Sequence, residues 1–168
     1  QAARVLLGKV EAGKRSGEAR YGVFASDVAH YLPVAYNLVG RALLCRGRNV
    51  EAVVCFREAV RTGPRYRTAH HNLAVALYAQ GQTDEAMHEA AAAISVAPEH
   101  GNSYAFLAFI QAKQRNYGDS LRNYRRGVRL SPRRLLPKIE LGWLLAGCPE
   151  AELRDGEAAL CLAKEVAA

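Results

Sequence analysis

The sequence predicts an all-helical solenoid of about eight antiparallel helices, on three observations. A polar break, Gly47-Arg48-Asn49-Val50, returns thirty-four residues later as Gly81-Gln82-Thr83-Asp84. Columns of apolar and small residues recur at the same distance along the chain. Alanine and leucine dominate the 168 residues while valine and isoleucine are scattered, which favours helix over sheet. A fixed period of this length marks stacked supersecondary units, none able to bury its apolar face alone.

The columns are explicit. Pro64, Pro98 and Pro132 share one; Val39, Leu73, Leu107 and Leu141 share another. Gly40, Ala74, Ala108 and Gly142 stay small, as do Ala52, Ala86 and Ser120, and then Ala59, Ala93 and Gly127. Packed helix axes lie roughly 8–10 Å apart, and the closest crossings require small residues. Phe56 and Tyr124 are the large residues that fill the adjacent space. A bulky residue at Gly40 or Ala86 forces its pair apart.

The elements follow in order. Residues 1–33 read as two helices of a degenerate first unit, because Leu7-Gly8, Phe24 and Val28 sit near repeat columns and Pro33 falls one place late. A linker helix from an upstream domain is the alternative there. Tyr36, Val39, Gly40 and Leu43 give the i, i+3, i+4, i+7 face of a helix ending near Arg46. Gly47 ends it, since glycine readily takes the left-handed conformation past a helix end. The second helix, about 50–61, packs through Ala52, Val53, Phe56, Ala59 and Val60, and Gly63-Pro64 stops it. The design repeats as helix 68–80, a glycine turn, helix 84–96 and Pro98, with Asp84 and Glu85 where the helix dipole favours negative charge. The next turn has Arg115 in place of glycine. The last unit keeps Leu141-Gly142 and Leu145, then adds about four residues before Ala158, and Pro149 opens a wider loop.

The set Tyr36, Val39-Gly40, Leu43, Gly47, Ala52, Phe56, Ala59 and Pro64 resembles the tetratricopeptide repeat, or TPR. On that resemblance the units are 34–66, 67–100 and 101–134. A divergent fourth, 135–168, carries an insertion at about 147–156, and 1–33 is a degenerate or capping unit. The phrase around Trp143, Cys148 and Pro149 resembles the last repeat of bacterial TPR arrays. The resemblance implies a right-handed superhelix. The first helix of each pair lines a concave groove that takes peptides or helices of other proteins.

Groove candidates lie on first helices, off the packing columns: Asn37 and Arg41, then His71, Asn72 and Tyr78, then Asn102 and Phe109, then Trp143. Amides of this kind can hold a partner backbone, and Tyr78, Phe109 and Trp143 are anchors of the type enriched at binding hot spots. Phe109 and Trp143 can equally pack against neighbouring structure. The family's clamp for chaperone C-terminal carboxylates is disfavoured. Asn72 fits its middle position, but His71, Val75, Asn102 and Phe106 lack the flanking Lys and Arg. An apolar or helical ligand fits better.

Arg122, Arg125, Arg126 and Arg129 recur at helical spacing within 122–134, on the expected convex side. A solvated outer face is one reading; a ridge for an acidic protein, a membrane surface or RNA is the other. Aromatic interleaving for base stacking is limited to Tyr124, a packing residue, which disfavours nucleic acid. No apolar run approaches the ~20 residues of a membrane span. The net charge of +7 suits an acidic partner.

Enzymatic chemistry finds little support. His70 and His71 are adjacent and face different directions; His30, His88 and His100 complete no metal spacing. No nucleophile elbow, Walker loop or dinucleotide fingerprint occurs. Glu150, Glu152, Asp155 and Glu157 crowd the insertion as solvated groups. The expectation is a non-catalytic adaptor with no cofactor or metal. Its rivals are a partner-positioning appendage of a larger enzyme and the Arg122–Arg134 ridge. Self-association through a terminal repeat is a further expectation, since an end unit lacks a neighbour. Cys45, Cys55, Cys148 and Cys161 lack C-x-x-C spacing and read as buried free thiols. That favours a reducing compartment, the cytoplasm, with the periplasm as alternative. Gln1 at the start suggests a processed chain or a fragment, and eighteen arginines against five lysines suggest a GC-rich bacterial source.

Overall fold

A computed structural model describes residues 22–167, with side chains from Tyr31 onward. Leu7, Gly8 and the side chains of Phe24 and Val28, on which the expected first repeat rests, lie outside the described residues. Eight α-helices follow in order: α1 Gly22–Leu44, α2 Asn49–Thr62, α3 Arg67–Ala79, α4 Thr83–Val96, α5 Gly101–Lys113, α6 Tyr117–Leu130, α7 Leu135–Gly147 and α8 Gly156–Ala167. No strand occurs among the described residues. The chain divides into two compact units between Val96 and Ala97. In the first, α1 pairs with α2 and α3 with α4, and α3 also packs on α1 and α2. In the second, α5 pairs with α6, α7 with α8, and α7 packs on α6.

The recurring break is one hydrogen-bonded turn used three times. Gly47 has φ +71° and Gly81 φ +78°. On either side, Arg48 N–H donates to Leu43 O and Gln82 N–H to Leu77 O, each at 3.0 Å. These are the six-to-one bonds of a left-handed helix terminus, which satisfy carbonyls the helix would otherwise orphan. Asn116 N–H donates to Gln111 O at 2.9 Å in the third turn, and Arg115 accordingly takes φ +63°. A Cβ in that region costs about 1–2 kcal/mol, partly offset by the ~0.5–1 kcal/mol of extra chain entropy a glycine loses on folding. Arg115→Gly is therefore expected to raise the urea midpoint by a gain of up to about 1 kcal/mol; a lowered midpoint would refute the strain argument.

The small columns sit where helices touch. Ala52, Ala59, Ala74, Ala86, Ala93 and Ala108 are all fully buried. At Gly40 a Cβ would stand 2.6 Å from the ring of Phe56, itself 0 % exposed, so glycine is what lets the ring lie across α1. Tyr124 fills the equivalent place in the second unit, in one cluster with Ala108, Leu121, Leu141 and Leu145.

Two details differ from expectation. Helix α1 runs straight through Pro33, whereas the sequence places a unit boundary there. The buried proline ring packs against Gly63, where a Cβ would meet it at 2.5 Å. Gly63 ends α2 with φ −141°, so close approach rather than left-handed geometry requires glycine. The thiols differ as well: Cys148 is buried, but Cys45 and Cys161 are exposed and Cys55 is half-buried. The insertion is compact. A 3-10 turn at Ala151–Leu153 places Asp155 to cap α8 through Ala158 N–H at 2.9 Å, and Arg154 Nε donates to Cys148 O at 2.9 Å.

Candidate functional site

In the first unit the expected groove residues stand on α1 and α3, which pack side by side. One turn of α1 separates Val34 from Leu38, 39 % and 52 % exposed, and Arg41 follows on the same side, also exposed. Asn37 is different: it is 2 % exposed and accepts a 2.7 Å hydrogen bond from Asn72 Nδ2 on α3. Its own amide points to the hydroxyl of Tyr66 at 3.5 Å. Asn37 thus fixes the orientation of Asn72, which is half-buried and keeps its carbonyl oxygen for another donor. His71, Val75 and Tyr78 are half-buried on the same helix. Asn72, Val34, Leu38 and Arg41 therefore form an apolar face with a fixed amide and a cation beside it.

The back of α3 is held by a charged contact that sequence reasoning missed. His70 is buried, with Nδ1 2.7 Å from Glu89 on α4 and Nε2 2.9 Å from the Pro64 carbonyl. Both ring nitrogens face acceptors, an arrangement that favours the doubly protonated, cationic imidazole. The Glu89 hydrogen bond raises the His70 pKa above 6.5, against the opposing effect of burial. A raised folded pKa stabilises the fold fully below the unfolded value of 6.5, and the contribution disappears as pH climbs through the folded pKa. Stability is thus expected to fall as pH rises above about 6.5. His70→Gln should flatten that slope in urea titrations at each pH. An unchanged slope would show that the pair is not linked to folding. The signal in the sequence is a histidine three residues before Leu73 and four before Ala74.

In the second unit Asn102 and Phe109 are half-buried on α5. Phe109 packs against the Ala108–Tyr124–Leu141 cluster, stacks on Phe106 at 6.3 Å between ring centres, and has Lys113 Nζ 5.4 Å above it. Trp143 stands 75 % exposed at the edge of a groove between α7 and α8. On α6 the four ridge arginines are exposed. Arg122 pairs with Asp119, and Arg126 lies 6.0 Å over the ring of Tyr104. No three His, Cys, Asp or Glu side chains cluster as metal ligands among the described residues. No described helix is long and apolar enough to cross a membrane.

These helix pairs define a class, the helical-repeat solenoids. Within it the fold is that of tetratricopeptide-repeat proteins. The chain superposes on the crystal structure of MamA with a TM-score of 0.75 at 13 % identity, over 99 % of this chain and 85 % of that one. It superposes on the first TPR of Spaghetti (RPAP3), solved bound to the HSP90 peptide SRMEEVD, with a TM-score of 0.63 at 16 % identity, over 66 % and 87 % respectively. In sequence it is 32 % identical over 81 residues to a DnaJ homolog subfamily C member 7 homolog of Dictyostelium discoideum. That match spans 46 % of this chain and 15 % of the relative. No family model matches the sequence. The resemblance read from the repeat columns is borne out in the fold.

Proposed function

We propose that the chain is a non-catalytic protein-binding module that holds a peptide or helix of another protein on the α1/α3 face. The observation that carries this reading is the Asn37–Asn72 hydrogen bond, which fixes an amide beside exposed Val34 and Leu38. An exposed apolar pair gives a ligand side chain something to cover, while the Asn72 oxygen accepts from the ligand backbone and Arg41 selects for an acidic neighbour. The likeness to a TPR solved with a bound peptide supports the same use. Asn102 and Phe109 are the corresponding positions of the second unit, and 34–66, 67–100, 101–134 and 135–168 are the repeats that carry them. The α6 ridge is not favoured, because Arg122 and Arg126 are engaged within the chain.

The test is selection of 12-residue peptides from a random display library on the immobilised chain, followed by fluorescence anisotropy with individual peptides. Leu38→Asp and Arg41→Glu should each weaken the selected peptides by ~10-fold or more. Arg125→Glu should leave them unchanged. Peptides that tolerate both α1 changes would exclude this face.

A further inference from the structure

The outer face of α6 is made of arginine. Of the exposed positions on this helix one is Gly118, and the other four are Arg122, Arg125, Arg126 and Arg129. The repeat does not demand them, since the same columns hold His88, Ala91, Ala92 and Ser95 thirty-four residues earlier. On α2 the exposed arginines are answered: Arg57 pairs with Glu85 and Arg61 with Glu58. On α6 Arg122 pairs with Asp119 and Arg126 lies over Tyr104. Arg125 and Arg129, one turn apart, have no ion-pair partner among the described residues. Neither have Arg133 and Arg134, exposed in the turn that follows, which Arg134 N–H closes on Ser131 O at 3.0 Å. The excess is local. Residues 120–139 contain seven basic side chains and no acidic one, and the sixteen basic side chains elsewhere are matched by sixteen acidic ones. The net charge of +7 is therefore that of this one stretch. Lys138, its last cation, is answered by Glu165 at 2.7 Å, so the open charge lies on α6 and its turn. Arg122 to Arg129 spans about 10 Å of helix, about one Debye length at physiological salt, so these charges act on a partner together.

We propose that α6 and the turn after it form a docking face for a membrane surface rich in anionic phospholipid, independent of the peptide site on α1 and α3. The chemistry of the face selects the occupant. A protein partner draws most of its affinity from an aromatic or apolar anchor at the centre of the contact, and the exposed positions of α6 supply none. Nucleic-acid readers add stacking rings or amides for base edges. Here Tyr124 is 2 % exposed, and Asn123 donates its amide to Gln111 at 2.8 Å. A lipid surface needs neither, because each arginine held near it adds to the attraction and the guanidinium fork matches phosphate oxygens. Leu121 and Tyr124 are buried in the core cluster, so α6 lies on the headgroups rather than entering the acyl layer.

The test is co-sedimentation of the full 168-residue chain with vesicles of phosphatidylcholine, either alone or with about one-third phosphatidylglycerol. Binding to the anionic vesicles only is expected, and it should weaken steeply as salt is raised. Arg125→Gln with Arg129→Gln should weaken it ~10-fold or more, and Arg133→Gln with Arg134→Gln likewise. Lysine at Arg125 and Arg129 should retain most of the binding, because the charge is kept. Arg57→Gln with Arg61→Gln removes the same net charge from α2 and should leave binding unchanged. All of these positions are exposed, so circular dichroism should show wild-type helicity in every variant. Equal binding to neutral vesicles, no binding to anionic ones, or an equal loss with the α2 pair would overturn the proposal. So would a nucleic-acid duplex or a polyglutamate peptide that binds more tightly than the vesicles and responds to the same α6 substitutions, because that polyanion would then be the occupant.

Discussion

Phe56→Ala is expected to cost about 3–5 kcal/mol, the range for truncating a buried aromatic to alanine. The ring is fully buried, and on the Gly40 side it lies against bare backbone, which has no side chain to fill the cavity left behind. Domains of this size are stable by only about 5–15 kcal/mol, so the loss is a large share of the whole. The measurement is a urea titration followed by circular dichroism at 222 nm, with the slope compared to confirm that the unfolded state is unaltered. Phe56→Leu should lose much less, because it keeps most of the filled volume. A loss below about 1 kcal/mol for Phe56→Ala would mean that α1 and α2 are held by other contacts.

The repeat made most of this fold legible. A column read at a thirty-four-residue interval reports what is common to every unit, and backbone turns and helix crossings are common to every unit. Gly47 and Gly81 both sit at positive φ, and Arg115 keeps that conformation without being glycine. Contacts made once are invisible to such a comparison. Pro33 stands one place late in the proline column and so reads as a unit boundary. Yet α1 continues through it, and the ring is buried against Gly63.

The candidate site was legible in composition and not in pairing. Helical spacing put Asn37 and Asn72 on one side of their helices, but only the lateral packing of α1 on α3 turns them into a bonded pair at 2.7 Å. The same limit hid the contact of His70 with Glu89, nineteen positions apart on different helices. In the sequence Trp143 reads as a groove anchor; its surroundings depend on where α8 returns after the insertion, a length the repeat does not fix.

Gly101→Val is the second large effect expected, about 3 kcal/mol, at the upper end of the usual cost of overpacking. A Cβ at Gly101 would stand 2.4 Å from the Gly127 carbonyl oxygen and 2.6 Å from Ser131 Oγ. The nearer atom is backbone, so no rotamer change relieves the clash and α5 must shift away from α6. The repeat columns alone point elsewhere. They put alanine at Ala59 and Ala93 and single out Gly127 as the departure, so they suggest that Gly127→Ala should improve the chain. At Gly127 a Cβ would meet Gly101 O at 3.0 Å and Ala105 N at 3.3 Å, tight but relieved by a small movement. Alanine there also gains about 1 kcal/mol of helix propensity, which offsets the crowding. Gly101 lies in the first turn, with little propensity to gain. Urea midpoints should therefore rank wild type and Gly127→Ala together, with Gly101→Ala below them and Gly101→Val lowest. If Gly101→Val matched wild type, the α5/α6 crossing would not be set by backbone contact at this pair.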